Sequence, residues 1–213
     1  MSLPRVLLLT LIAKPIARFL TGADVLGREH LPMKGPAIVV ANHNSHIDTL
    51  LMLTIFPAKT LKHVRPAAAA DYFLANPAIS WFSRHIIGIV PVERQKVGRD
   101  FDVLAPAREA LERGAIVVIF PEGTRGEATD SMGRLKGGVA RLAADFPAAP
   151  VTPIWIAGAG RVLPKGHGVP VPLTCSVHIG PPLAWKGDRH VFMDEVREAL
   201  EALSREAPPL RWS

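Results

Sequence analysis

The sequence is poor in several features that would assign it to a class of protein at once. Its 213 residues include one cysteine, Cys175, and aromatic residues make up 6% of the chain. A single cysteine excludes an internal disulfide and fits a reducing compartment. Blocks rich in lysine and arginine with interleaved aromatic residues are absent, and so is the spacing of a zinc finger. Nucleic acid is therefore the weaker option among anionic partners.

The composition that remains is that of a folded protein with an affinity for anions. Apolar residues make up 48% of the chain and charged residues 21%, which excludes a disordered chain. A length of 213 residues fits one domain with a sizeable core. The formal net charge of +6 favours anionic partners such as acidic lipid or phosphorylated small molecules.

The N-terminus carries a short apolar run. Residues 3–13 are dominated by apolar side chains and include Arg5, and the run is much shorter than the roughly twenty residues that span a bilayer. We predict an interfacial helix over residues 5–20, whose apolar side chains enter the lipid boundary while Arg5, Lys14 and Arg18 meet acidic headgroups. The alternative is that this helix packs on the protein's own core.

Apolar runs and helical patterns alternate from residue 36 onward. The predicted strands are residues 36–41, 64–70, 87–92, 115–120, 151–157 and 173–179. The predicted helices are residues 48–56, 71–84, 98–113, 137–146 and 188–206, and residues 158–172 are predicted to form a surface loop. This pattern predicts an α/β fold, a single layered domain with a largely parallel central sheet flanked by helices. We divide the chain into a membrane-associating segment, residues 1–24, and this domain, residues 25–213.

A histidine and an aspartate just after the first predicted strand are the first candidates for chemistry. His43 and Asp48 lie five positions apart, so a turn is needed between them for the side chains to meet. Neutral imidazole can accept a proton from a hydroxyl, and a carboxylate can orient the ring and stabilise the imidazolium. The pair alone also fits a helix-capping aspartate beside a surface histidine. A third interpretation is a metal site formed by His43, His46 and Asp48.

A second set of candidates follows the strand predicted at residues 115–120. Gly123 lets the backbone turn sharply and approach a ligand, and Arg125 offers a planar fork that suits phosphate. The negative charge of Glu122 makes it an unusual phosphate contact, so we expect it to fix the loop by accepting hydrogen bonds. Arg94, which follows the preceding strand, is another guanidinium suited to phosphate. Taken singly, these residues also fit a solvated ion pair and an exposed arginine.

Both sets of candidates follow the ends of predicted strands. His43 and Glu122 each stand just past the carboxyl end of an apolar strand. Functional groups of α/β folds collect at those ends. We therefore expect the two residues to line one shared cleft.

The order of these blocks makes the sequence resemble the glycerolipid acyltransferase family, of the lysophosphatidic acid acyltransferase type. The family's first block, Asn-His-x-Ser-x-x-Asp, is matched by Asn42, His43, Ser45 and Asp48. Its third block, Phe-Pro-Glu-Gly-Thr-Arg, is matched residue for residue by residues 120–125. The first and third blocks together are highly specific.

The other two blocks match more loosely. The second block of the family ends in arginine, which Arg94 matches, although Glu93 stands where aspartate is common. The fourth block is a strand of the Val-Pro type, matched by residues 151–154. The resemblance covers residues 25 to about 205.

The resemblance implies roles for individual residues. His43 would act as the base on the acceptor's hydroxyl, and Asp48 would orient it. The residues implied for binding the acceptor's phosphate are Arg94, Glu122, Gly123, Thr124 and Arg125. Lys136, after the third block, is a further candidate for phosphate, with a solvated lysine as the alternative.

The resemblance also implies substrates and a location. The acyl group would pass from acyl-CoA or acyl carrier protein to the free hydroxyl of a lysophospholipid, foremost 1-acylglycerol-3-phosphate, giving phosphatidic acid without a cofactor or metal. We expect a peripheral or monotopic enzyme on the cytoplasmic face of the membrane, with the membrane surface and no nucleic acid as partner. Open alternatives are another lysolipid, an aminolipid or a glycolipid acceptor, a metal-dependent hydrolase, and a non-catalytic lipid-binding module.

Overall fold

Strands and helices alternate along the chain, as the apolar pattern predicts. The structure is a computed structural model that describes residues 3–69, 76–92, 102–123, 132–162 and 171–207. The strands are β1 (Asp24–Leu26), β2 (Ala37–Ala41), β3 (Val64–Ala69), β4 (Val90–Val92), β5 (Ile116–Ile119), β6 (Val151–Ala157) and β7 (Ser176–Ile179). The helices are α1 (Leu3–Leu8, the π-helical Leu9–Ala13 and Lys14–Thr21), α2 (His46–Ile55), α3 (Ala58–Leu61), α4 (Pro77–Phe82 and the π-helical Ser83–Ile87), α5 (Ala105–Glu112), α6 (Gly138–Asp145), α7 (Ala159–Val162) and α8 (Arg189–Glu206). A short 3₁₀ helix, Arg28–His30, follows β1.

The sheet is largely parallel, which confirms the predicted fold class. Its seven described strands follow the order β1-β7-β6-β2-β5-β3-β4. Neighbouring strands are parallel except β6 and β7, which are antiparallel. The register places Val40 of β2 opposite Ile119 of β5 on one side and Pro153 of β6 on the other. The carboxyl ends of these three central strands therefore lie at one edge of the sheet.

Two apolar layers cover the faces of the sheet, and the buried residues of β2 alternate between them. Val39 faces the layer that includes residues of α1, α2 and α7. Ile38 and Val40 face the layer that includes residues of α5, α6 and α8. Because both faces of β2 are buried, its sequence is a continuous apolar run instead of an alternating one.

Arg5 joins α1 to the rest of the domain. We expected this side chain to meet acidic headgroups, which is wrong, because Arg5 is 1% exposed and its guanidinium donates four hydrogen bonds to backbone oxygens. The acceptors are the carbonyls of Leu61, Val64, Ile86 and Ile87, at 2.8–2.9 Å. Burial lowers the pKa of the guanidinium to about 10, and the nearby charge of Arg65 adds to the effect.

Another face of α1 is apolar and exposed. Leu9 and Ala17 are buried in the domain, so α1 packs on the protein's core, which was the alternative interpretation of this segment. Leu11 and Phe19 are 66% and 79% exposed on the same helix. Association of this exposed face with a membrane stays a prediction. Within the residues that the structure describes, none of the helices has the length and apolar character needed to cross a bilayer.

Several predicted boundaries differ from the observed ones. The strand predicted at residues 87–92 begins only at Val90, because α4 continues to Ile87 and Gly88 ends it in the left-handed conformation. The loop predicted at residues 158–172 contains α7, a single helical turn too short for periodicity to reveal. β1 was not predicted, since three residues are too few to show alternation. The parts of predicted helices at residues 71–75 and 98–101 lie outside the described residues.

Candidate active site

Two loops meet at the carboxyl edge of the sheet's centre. β2 ends at Ala41 and β5 at Ile119, and the two strands are neighbours in parallel register, so the residues that follow them are neighbours as well. The backbone N–H of His43 donates to Oε1 of Glu122 at 3.2 Å. The structure thus brings together the two loops that sequence analysis assigned to one site.

A helix cap makes the turn between His43 and Asp48. Ser45 is the N-cap of α2: its Oγ accepts from the N–H of Ile47 at 3.4 Å, and its own N–H donates to Oδ2 of Asp48 at 2.7 Å. The N–H of Asn44 donates to the same Oδ2, also at 2.7 Å. This folding brings Asp48 Oδ2 within 3.1 Å of His43 Nδ1. One carboxylate therefore caps the helix and bonds the imidazole, two roles that the sequence presented as alternatives.

The surroundings of His43 leave one ring nitrogen suited to accept a proton. Asp48 is 1% exposed and already accepts two backbone N–H groups, so we assign the hydrogen of the shared bond to His43 Nδ1. This tautomer puts the lone pair on Nε2, which no protein group bonds among the described residues. The His43 side chain is 19% exposed, and its ring stacks on Phe120 with centroids 4.3 Å apart. A fixed ring with one open nitrogen has the geometry of a general base.

Glu122 holds the two loops together through its carboxylate. Besides Oε1, which bonds the His43 N–H, Oε2 accepts from the N–H of Gly133 at 3.4 Å. Glu122 is buried, and burial raises the pKa of its carboxyl, while the two backbone donors act in the opposite direction. These partners give Glu122 the loop-fixing role that its charge suggested. Its part in substrate binding stays a prediction.

Asn42 ties the histidine's strand to β6. Its Nδ2 donates to the carbonyl of Ile156 at 2.8 Å, and the Ile156 N–H donates to its Oδ1 at 2.7 Å. The amide of Asn42 thus imitates a strand residue and extends the pairing of β2 with β6 past Ala41, where β2 ends. Sequence analysis gave Asn42 no role beyond matching the family's motif. Its position directly before His43 was the only signal.

The turn after β5 brings Lys136 close to Gly123. Gly123 adopts a φ of 70°, and a Cβ there would lie 2.5 Å from Nζ of Lys136. The N–H of Lys136 donates to the carbonyl of Pro121 at 2.8 Å, which fixes the lysine's backbone against the turn. The absence of a side chain at Gly123 therefore makes room for the ammonium group at this edge of the sheet.

Arg161 is a cation at the same edge that sequence analysis missed. It lies on α7, which begins two residues after β6 ends and contacts α2. β6 is parallel to β2, so its carboxyl end lies at the edge that carries His43. Placement shortly after a predicted strand was the signal, but it lay in a segment taken for a surface loop.

Part of the predicted site is outside the described residues. Arg94, Thr124 and Arg125 fall there, and so does the side chain of His46. Within the described part of the chain, no group of three histidine, cysteine, aspartate or glutamate side chains comes together as a set of metal ligands.

Comparison with known proteins gives consistent results. The model of the acyltransferase family matches residues 22–157. The chain is 33% identical over 144 residues to the chloroplastic 1-acyl-sn-glycerol-3-phosphate acyltransferase LPAT1 of Arabidopsis thaliana, an alignment covering 67% of this chain and 38% of that protein. It is 29% identical over 200 residues to the 1-acyl-sn-glycerol-3-phosphate acyltransferase alpha of Mus musculus, covering 89% of this chain and 67% of that one.

The fold also has a counterpart among solved structures. The crystal structure of the 1-acyl-sn-glycerophosphate (LPA) acyltransferase PlsC from Thermotoga maritima superposes with a TM-score of 0.77 at 24% identity, covering 98% of this chain and 81% of that chain. At this identity the likeness shows the fold. The chain spans about two fifths of the length of the chloroplast relatives that it matches.

Proposed function

The chain belongs to the acyltransferase family, and on this premise we propose that it esterifies a lysophospholipid. The donor is the thioester of acyl-CoA or acyl carrier protein, and the acceptor is 1-acylglycerol-3-phosphate, whose product is phosphatidic acid. The names of the relatives support this acceptor. The observation that carries the chemistry is the bond between Asp48 and His43 Nδ1, which leaves Nε2 open.

The reaction uses His43 first as a base and then as an acid. Nε2 takes the proton of the acceptor's hydroxyl while that oxygen attacks the carbonyl carbon of the thioester. Asp48 stabilises the imidazolium that forms, because its Oδ2 already bonds Nδ1–H. When the tetrahedral intermediate collapses, the carbon–sulfur bond breaks and the sulfur receives the proton from Nε2. The products are the ester and a free thiol.

The acceptor's phosphate binds beside the turn after β5. Lys136 supplies an ammonium group there, and the absence of a side chain at Gly123 makes room for it. Arg161 adds a second cation at the same edge. Arg94, Thr124 and Arg125 complete this phosphate site in our proposal, as the family resemblance implies.

The exposed face of α1 supports a peripheral position on the cytoplasmic face of the membrane. Its apolar side chains are placed to enter the lipid boundary, where a lysophospholipid resides. The exposed members of this face are Leu7, Leu11, Ile12, Ile16 and Phe19.

The direct test is acyl transfer by His43→Ala. Thiol release from acyl-CoA is measured with a panel of lysophospholipids, with and without a chelator. We expect the variant to lose about 10²- to 10⁴-fold in kcat, because proton transfer loses its catalyst. His30→Ala makes the same chemical change at the end of the 3₁₀ helix Arg28–His30, outside the candidate site, and serves as the matched control.

Three results would contradict the proposal. A folded His43→Ala variant with nearly normal kcat would show that His43 is not the base. Thiol release that responds only to an aminolipid or a glycolipid acceptor would change the acceptor. Loss of activity on chelation would indicate the metal-dependent hydrolase.

A further inference from the structure

A cavity lies at the edge of the sheet away from the candidate active site. Its volume is about 870 Å³. Among the residues that line it, His63 directly precedes β3 and Ala115 directly precedes β5. The active-site loops follow the carboxyl ends of β2 and β5, whereas this cavity, which we call the basic groove, lies at the amino ends of parallel strands. The two sites are therefore separated by the length of a strand.

The charge of the basic groove is almost entirely of one sign. The cationic side chains that line it are Arg5, Lys62, Arg65, Arg84 and Arg113, and the lining contains one carboxylate, Glu109. That carboxylate is paired with Arg113 on the same helix, α5. Lys62 and Arg84 are exposed and form no ion pair among the described residues. Two exposed cations therefore face the cavity with no ion-pair partner in the described part of the chain.

The guanidinium groups of the basic groove repel each other. Arg5 lies beneath its floor, over Gly88, and all four of its described hydrogen bonds go to backbone carbonyls. The charge of Arg65 contributes to the lowered pKa of Arg5, after burial. Burial also lowers the pKa of Arg65. An anion in the groove would relieve this repulsion, and guanidinium forks suit the oxygens of phosphate.

Exposed aromatic side chains on α4 lie next to residues that line the basic groove, and the Trp81 ring stacks on the ring of the lining residue His85. Arg84 and His85 line it from α4, and the two residues that precede Ser83 on the same helix, Trp81 and Phe82, are 58% and 45% exposed. Helix α4 contacts α1, which carries the exposed apolar face. Tryptophan and cations side by side are typical of a surface at the level of lipid headgroups.

We propose that the basic groove is a second anion site, separate from the catalytic one, that takes the phosphate group of an acidic phospholipid headgroup. Lys62 and Arg84 contact the phosphate, and Arg5 and Arg65 supply the field beneath it. The bordering aromatic residues favour a lipid over a soluble phosphate as its source. Occupation of the groove would orient the protein on an acidic membrane without touching the catalytic residues.

The experiment compares two double variants that remove equal charge. Lys62→Ala/Arg84→Ala removes the exposed cations of the groove, and Arg189→Ala/Arg205→Ala removes two exposed cations from α8. Co-sedimentation is measured with vesicles of phosphatidylcholine alone and with added phosphatidylglycerol. A second arm titrates inorganic phosphate and glycerol 3-phosphate by calorimetry, and thermal melts confirm that both variants fold.

We expect the groove variant to bind phosphatidylglycerol vesicles roughly 10- to 30-fold more weakly than the wild type. The α8 variant should lose much less affinity for these vesicles. Both variants should bind vesicles of pure phosphatidylcholine as the wild type does. Transfer of short, water-soluble acyl chains should continue in the groove variant. The vesicle measurement itself requires no acyl transfer, so it does not depend on the proposed function. The calorimetric arm tests for a soluble ligand. If only the groove variant loses the binding of free phosphate, the groove is an anion site whose ligand is a soluble phosphate.

Two outcomes would overturn the proposal. Equal losses in the two variants would mean that vesicle binding follows net charge and not the groove. Binding of the groove variant to phosphatidylglycerol vesicles that equals that of the wild type would show that the groove does not take a lipid headgroup.

Discussion

Buried charges bond the backbone at both ends of the parallel sheet, but the charges at the two ends have opposite signs and different roles. At the carboxyl end, Asp48 and Glu122 accept backbone N–H groups from the loops after β2 and β5. At the amino end, Arg5 donates to four backbone carbonyls. A buried charge satisfied by backbone groups is tolerated at either end. In the mechanism that we propose, such a charge takes part in catalysis only where a titratable side chain, His43, bonds it.

The largest effect should follow from Asp48→Asn, which breaks the shared charge at the carboxyl end. The amide cannot stabilise an imidazolium, so we expect kcat to fall by about 10²- to 10⁴-fold. The weakened helix cap should cost about 1 kcal/mol of unfolding free energy. Steady-state thiol release and urea unfolding measure the two effects. A variant that loses stability but keeps kcat would show that the carboxylate only caps α2.

The corresponding change at the amino end, Arg5→Ala, should affect stability and leave the chemistry intact. Four carbonyls lose their donor, so we expect a loss of about 3–5 kcal/mol in the free energy of unfolding. Among molecules that remain folded, kcat with soluble substrates should stay within a few-fold of the wild type. Arg18→Ala, an exposed arginine on the same helix, is the matched control for urea unfolding. A stability loss no larger than the control's would contradict the structural role of Arg5.

Two glycines allow a sharper comparison of the two ends. Gly88 and Gly123 both have a positive φ, and a Cβ at either would collide with a basic side chain, Arg5 at 2.7 Å and Lys136 at 2.5 Å. Arg5 is fixed by its hydrogen bonds, whereas the end of Lys136 can move. We therefore expect Gly88→Ala to cost about 2–4 kcal/mol and Gly123→Ala about 1–2 kcal/mol in urea unfolding.

The glycine pair should also differ in kinetics. Gly123→Ala should raise the KM for the phosphate-bearing acceptor several-fold, because it displaces the ammonium group of Lys136. Gly88→Ala should leave this KM unchanged. Equal stability losses, or a KM effect in Gly88→Ala, would contradict the assignment.

The smallest effect concerns the pH dependence of stability. Burial raises the pKa of Glu122 in the folded state, so the folded protein holds this proton more tightly than the unfolded chain. The folding free energy that this difference in pKa contributes is fully present below the ordinary pKa of glutamate. It is lost as the pH rises through the raised pKa. Glu122→Gln should remove this loss, so its unfolding free energy relative to the wild type should increase as the pH rises above the ordinary glutamate pKa of about 4.3.

Glu29→Gln makes the same chemical change at an exposed position and is the reference for this measurement. Urea unfolding across the pH range supplies the values. A difference between wild type and Glu122→Gln that does not change with pH would contradict the inferred burial of charge.

Local signals in the sequence carried the prediction that His43 and Asp48 meet, and the prediction of several elements. The spacing of His43 and Asp48 required a turn, and Ser45 supplied a residue able to cap the helix that follows. α8 was predicted at residues 188–206; it begins one residue later, with Asp188 as its N-cap, and ends at the predicted residue, because its buried apolar residues have an unbroken helical period. In these cases each residue's partners lie within a few positions of it.

Long-range partners account for what the sequence did not reveal. The acceptors of Arg5 lie 56 to 82 residues away, so nothing in its neighbourhood distinguished a buried guanidinium from an exposed one. The two hydrogen bonds between Asn42 and Ile156 join residues that are 114 positions apart. Glu122 could be given a loop-fixing role from its charge, but its partner His43 could be named only from the order of the strands.

The backbone N–H groups of Gly133 and Lys136 donate to Glu122 and Pro121, so the chain that resumes at residue 132 is tied directly to the turn after β5. A segment grafted from a relative in place of residues 124–131 would therefore join the domain at the same two points. In the mechanism that we propose, such a graft would change the choice of acceptor while the bond between His43 and Asp48 is kept.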